Sequence, residues 1–159
     1  MPKPRVYVET TIPNFYYDRR TDPAVVSRRA WTREWWSTAA AEYEMVTGAP
    51  VLAELLAGIS SRVSPRIRLL SGLPFLVPDI AVDETVGFYV RHKLMPARPI
   101  EDAQHLALAS HDGCDFIVTW DCKHLANPNK ARHLERINTR LGLHVPAIVT
   151  PRDLLGRIE

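Results

Sequence analysis

Apolar positions in this chain fall into short β-branched runs separated by longer stretches with helical spacing. Arg5–Val8 reads as a strand, short and β-branched. Pro13 to Pro23 reads as a connection, Ala24–Tyr43 as a long helix, and Glu44–Thr47 as a second strand ended by Gly48. Pro50 sits in the first turn of a helix, where its missing N–H does no harm, and that helix runs through Leu56 to stop near Gly58. Pro65–Ser71 is the next helix and Phe75–Val77 the next strand. Ala81–Lys93 and Ile100–Ser110 follow as helices, the second entered after Pro99 and closed near Gly113. Asp115–Thr119 contains Phe-Ile-Val-Thr, the pattern of a strand covered on both faces. Asn129–Leu141 is helical and ends at Gly142, Pro146–Val149 is a last strand, and Pro151 starts a terminal helix.

Strands alternating with helices predict an α/β architecture of three layers, a central, mostly parallel sheet flanked by helices. With 159 residues and no linker or repeat, the chain is expected to form a single domain over 1–159. In such sheets ligands bind outside the carboxyl ends of the strands. Two acids lie at such ends: Glu9 closes Val6-Tyr7-Val8, and Asp121 follows Thr119-Trp120. Two more occupy apolar helical patterns, Glu54 in Val51–Leu56 and Asp102 in the first turn of its helix.

Each acid alone has an ordinary explanation. Glu9 fits a solvated strand end, Asp121 an Asx turn, Asp102 a favourable helix dipole and Glu54 a helix's polar face. Together they form a set that recurs in no other helix or strand of the chain. Carboxylates brought together in a partly buried cleft cannot all stay ionised without a cation. The oxygen-seeking ions Mg²⁺ and Mn²⁺ suit such donors. Thr10 and Thr119 are candidates to hydrogen-bond a carboxylate or a metal-bound water, with Asn127 a further candidate for the same role. His105, three residues after Asp102, reads first as a packed core histidine and second as a proton shuttle.

The net charge of +2 is too small to identify a nucleic-acid partner, but the basic residues cluster. Arg28, Arg29 and Arg33 form one group, Arg62, Arg66 and Arg68 a second, and Lys123 to Arg140 a basic stretch. Beside an acidic metal site such groups suit a polyanion's backbone. Trp31 and Trp35 lie one helical turn apart, an aromatic face expected in the core or at a subunit interface. No apolar run approaches the ~20 residues of a membrane span. The start Met-Pro-Lys-Pro lacks a signal peptide's apolar stretch, so a cytoplasmic protein without a membrane partner is expected. Cys114 and Cys122 are then expected to be free thiols.

The chain resembles the PIN-domain nucleases, and in particular the VapC-type toxins of type II toxin–antitoxin pairs, from Val6 to about Leu155. Four motifs carry this: Val-Tyr-Val-Glu-Thr-Thr around Glu9, Pro-Val-Leu-Ala-Glu-Leu around Glu54, Asp-Ala-Gln-His-Leu-Ala-Leu-Ala from Asp102, and Phe-Ile-Val-Thr-Trp-Asp ending at Asp121. The last two, with their acids nineteen residues apart, are the more specific. One departure is Glu9, where the family usually has Asp. The resemblance implies a PIN-like fold and Glu9, Glu54, Asp102 and Asp121 as catalytic metal ligands for Mg²⁺ or Mn²⁺. It further implies cleavage of an RNA substrate by metal-activated water, a cognate antitoxin and a homodimer. Alternatives are a PIN nuclease of RNA or DNA processing that is not a toxin, and a catalytically weakened domain that binds nucleic acid or a partner. An unrelated flavodoxin-like module ranks low, because the first strand is followed by Glu-Thr-Thr-Ile-Pro-Asn with no glycine loop.

Overall fold

The computed structural model describes residues 2–156, with backbone alone at 60 and 61; the ends of the expected 1–159 unit, residue 1 and residues 157–159, lie outside the described residues. Five strands form one all-parallel sheet: β1 (Arg5–Val8), β2 (Glu44–Gly48), β3 (Phe75–Leu76), β4 (Phe116–Val118) and β5 (Ala147–Val149). Their order across the sheet is β3-β2-β1-β4-β5. The helices are α1 (Thr11–Tyr16), α2 (Pro23–Glu42), α3 (Ala49–Leu56), α4 (Ser60–Leu70), α5 (Ile80–Arg91), α6 (Glu101–His111), α7 (Ala131–Leu141) and α8 (Pro151–Gly156). None of them, among the described residues, is long and apolar enough to cross a membrane.

β1 is the central strand, and Val6, Tyr7 and Val8 are fully buried on both of its faces. Ile117 and Val118 of β4 are equally buried, which is why these runs are apolar without alternation. From β1 the chain builds outward through β2 and β3 on one side, then returns to add β4 and β5 on the other. The switch in direction lies between β1 and β4, where a crevice forms at the carboxyl ends. Pairing of Val8 with Val118 brings the residues after both strands to that crevice.

Most elements fall where the sequence places them, and the differences have local causes. Residues 13–23 are not all connection: α1 is a helix of six residues with Pro13 in its first turn, where the missing N–H has no intrahelical partner to lose. α4 begins at Ser60 and runs through Pro65 rather than starting there. β4 is shorter than expected, although Asp115 N–H still donates to the Arg5 carbonyl and Thr119 N–H to that of Val149. The ladder therefore continues past the regular strand. The helix expected from Asn129 opens with a 3-10 turn over Pro128–Lys130, then continues as α7 to a left-handed Gly142 at φ 69°. Of the tryptophans, Trp35 is fully buried in the core, and Trp31 stacks on Trp120 with ring centres 6.0 Å apart.

Candidate active site

Glu9 leaves β1 in extended register, its N–H donating to the Val118 carbonyl at 3.2 Å, and its side chain is 3% exposed. Three donors converge on its Oε1: the Thr11 N–H at 2.8 Å, the Thr11 hydroxyl at 2.5 Å and the Thr119 hydroxyl at 2.8 Å. Each hydroxyl, having given its proton to Glu9, accepts a backbone N–H in turn. Thr11 takes Trp120 N–H at 2.8 Å and Thr119 takes Asp121 N–H at 2.9 Å. The segment after β1 is thereby stitched to the segment after β4. Among the described residues no donor reaches Oε2 of Glu9. Burial pushes its carboxyl up from the usual range, against the charge of His105 and the threonine bonds, which pull it down.

Glu54 comes from α3 and is half-buried. Its Oε1 accepts the Thr10 hydroxyl at 2.8 Å and faces Nε2 of His105 at 2.5 Å. The other ring nitrogen of His105 meets the Tyr7 hydroxyl at 2.7 Å, and both His105 and Tyr7 are completely buried. Burial alone would raise Glu54, but the hydrogen bond and charge of His105, with the Thr10 bond, hold it below the ordinary value. Burial likewise works against the imidazolium, yet the bond to Glu54 and the charges of Glu9, Glu54 and Asp102 raise His105. Nε2–H of His105 thus donates to the Glu54 carboxylate, while Nδ1 and the Tyr7 hydroxyl share the hydrogen bond on the other side of the ring. The phenol stays neutral, pushed well up first by burial and then by Glu9 and Glu54.

Gly48 makes this arrangement fit. A Cβ there would lie 2.6 Å from the Tyr7 hydroxyl and 2.9 Å from Leu108 Cδ1, so any side chain would displace the group that holds His105.

Asp102 occupies the first turn of α6 and is 5% exposed. Among the described residues it has no hydrogen-bond donor. Burial raises its carboxyl, as do the charges of Asp121 and Glu54, while His105 and His124 lower it. Asp121 Oδ1 accepts the backbone N–H groups of Lys123 at 3.2 Å and His124 at 2.9 Å, an Asx turn that fixes the carboxylate. Asn127 spends its amide locally, its Oδ1 accepting Asn129 N–H and its Nδ2 donating to the Lys123 carbonyl.

Glu9, Glu54 and His105 can each present one donor atom such that all lie within 4.8 Å of one another. Asp102 and Asp121 stand outside that tight group, though Asp102 feels the charges of Glu54, His105 and Asp121. The donors are carboxylate oxygens with one imidazole beside them, a set that fits a hard divalent ion. Asp102, with little exposed surface and no protein donor among the described residues, keeps its carboxylate oxygens in reach of solvent, where an ion can meet them. His105, Tyr7 and Thr11 are the site residues that the sequence leaves least visible. Only the doubled threonine after Glu9 hints at Thr11.

No protein-family model and no curated protein sequence matches the chain. The fold, however, matches that of a chain of VapBC2 from Rickettsia felis, solved bound to a DNA fragment from their promoter, at a TM-score of 0.59. The match covers 91% of this chain and 97% of that one, at 14% identity. The chain has a PIN-like fold. At that identity the likeness concerns the fold alone.

Proposed function

We propose that this protein is a divalent-metal-dependent endoribonuclease, acting with Mg²⁺ or Mn²⁺ as the toxin of a toxin–antitoxin pair. The observation that supports it most is the placement of Asp102. This largely buried carboxylate lacks a hydrogen-bond donor among the described residues, and the like charges of Asp121 and Glu54 act on it. The fold match to a chain of VapBC2 supports the pairing with an antitoxin. A homodimer belongs to the same reading.

In this reading Asp102, Asp121 and Oε2 of Glu9 hold the ion, and Glu54 either joins them or orients the attacking water. Thr11 and Thr119 fix the Glu9 carboxylate, so that it meets the ion without reorganising. Thr10 and His105 do the same for Glu54. A divalent ion, when bound, supplies Lewis acidity at the phosphoryl oxygens and acidifies water for in-line attack. No side chain here forms a covalent intermediate.

The test is cleavage of fluorescent single-stranded RNA by purified protein with Mn²⁺, with Mg²⁺ and with chelator, beside Asp102→Asn. Metal-dependent cleavage that disappears in the variant supports the reading. Equal turnover by the variant, or a wild type that neither cleaves RNA nor binds metal, overturns it.

A further inference from the structure

A cleft of about 910 Å³ lies where the end of α1 meets α4, and none of Glu9, Glu54, Asp102 and Asp121 lines it. Arg19, Arg20, Arg62 and Arg66 line it, and Asp18 is its one lining carboxylate. Asp18 is already committed. Arg20 grips both of its oxygens, Nη2 on Oδ2 at 2.7 Å and Nε on Oδ1 at 3.1 Å. Three guanidinium charges are left without a counter-charge in the lining. Arg66 is fixed in place, its Nε donating to Asn14 Oδ1 at 2.9 Å, its Nη1 to the Arg62 carbonyl, and its guanidinium carbon 6.0 Å from the centre of the Tyr17 ring. Arg19 and Arg62 are exposed, and neither side chain has a hydrogen bond or ion pair among the described residues. Burial, and then the neighbouring Arg62 charge, push the Arg66 guanidinium below its ordinary value. The cleft is therefore a place where like charges crowd and an anion relieves them.

Its position tells which anion. α1 starts two residues after Glu9, and its six residues span ~9 Å, so the cleft sits about one short helix from the acids. We propose that the cleft binds a phosphate of the RNA strand other than the one being cleaved, with Arg19, Arg62 and Arg66 as its ligands. The inference rests on the ribonuclease reading and adds to it the direction in which the strand leaves the acidic crevice, along α1 toward α4.

The test is binding of a labelled single-stranded RNA, followed by fluorescence anisotropy in chelator so that nothing is cleaved, over a series of salt concentrations. The variant Arg19→Ala/Arg62→Ala removes two side chains that make no hydrogen bond or ion pair among the described residues. Its affinity is expected to fall about tenfold, and the slope of log K against log salt to become shallower by about 0.7 for each phosphate no longer neutralised. Arg66→Lys keeps the charge but loses the fork, and is expected to lose less. A control of equal charge change, Arg132→Ala/Arg136→Ala on α7, is expected to move the slope less. Mn²⁺ binding, measured by calorimetry, is expected to be unchanged in Arg19→Ala/Arg62→Ala. Unaltered RNA affinity and slope in that variant overturn the cleft and leave the nuclease reading standing. A wild type that takes Mn²⁺ but holds no RNA overturns both. Unaltered RNA binding with lost binding of poly-glutamate overturns the proposal by giving the cleft to an acidic polypeptide.

Discussion

Glu9 and Asp102 are both carboxylates with little exposed surface, and the protein treats them oppositely. Glu9 receives three hydrogen bonds on a single oxygen, and those bonds also tie the ends of β1 and β4 together. Asp102 receives none among the described residues, and Asp121 faces it with like charge. Burial raises both carboxyls, but only at Glu9 do fixed donors offset it. The first acid is part of what holds the fold together. The third is a local cost that the fold tolerates. A group kept at such a cost points to what offsets it, which in a crevice of carboxylates is a cation.

Neutralising each acid separates the two roles. Asp102→Asn is expected to cut metal-dependent RNA cleavage by about 10²–10³-fold, the scale of removing one electrostatic partner of a transition state. The metal-free protein is expected to melt no lower than wild type, because the repulsion of Asp102 by Asp121 and Glu54 has gone. Glu9→Ala is expected to lose cleavage as well, and in addition ~1–3 kcal/mol of stability, because the Thr11 N–H and the Thr11 and Thr119 hydroxyls lose their acceptor. Thermal melts in chelator decide the matter. Equal destabilisation of both variants would erase the difference between the two carboxylates.

The next effect is that of the ion itself. Mn²⁺ at a hundred times its dissociation constant is expected to stabilise wild type by ~2.7 kcal/mol. That corresponds to about 2–4 °C in Tm for each kcal/mol in a chain of this size. Asp102→Asn is expected to lose most of that shift. A full shift in the variant would place the ion elsewhere, with Glu9, Glu54 and His105 as its holders.

Thr119→Val probes the pre-organised half alone. It deprives Glu9 Oε1 of one donor and the Asp121 N–H of its acceptor at a fully buried position. The expected cost is ~1–3 kcal/mol in chelator, with weaker Mn²⁺ binding besides, because two carboxylates lose their common anchor. A variant as stable as wild type would mean that the Thr11 donors suffice.

These contrasts were only partly legible in the sequence, for reasons that differ between residues. The strands before Glu9 and Asp121 announce themselves, since a central parallel strand must be apolar on both faces, and an acid closing such a run stands at the ligand-binding edge. α1 hid because six residues show no periodicity and Pro13 reads as a break until its place in the first turn is known. His105 was harder. Its spacing from Asp102 suggests a shared helix face, yet its partner is Glu54, 51 residues away, and only packing of α3 on α6 makes that pair. The donor count that sets Glu9 apart from Asp102 is likewise invisible in one dimension, because Thr119 reaches Glu9 across 110 residues of chain.

The smallest effect is a pH gradient, and its sign follows from the same pair. Glu9 and Asp102 titrate higher in the folded chain than in the unfolded one. Between the unfolded value, ~4, and the raised folded values, the native state therefore binds more protons, and stability rises as pH falls. His105 is also raised, so its contribution is whole below ~6.5 and is lost as pH climbs through the folded value, the same direction. Glu54 is lowered and opposes the trend only at pH below the ordinary carboxylate range. In chelator, then, Tm is expected to drift downward from about pH 5 to pH 8. Saturating Mn²⁺ reverses the drift, since the ion competes with those protons and binds tighter as they leave. Asp102→Asn is expected to flatten the acid limb without abolishing it, because Glu9 still titrates there. Were the variant to keep the full slope, Asp102 would not be the strained carboxylate, and the contrast with Glu9 would rest on hydrogen bonding alone.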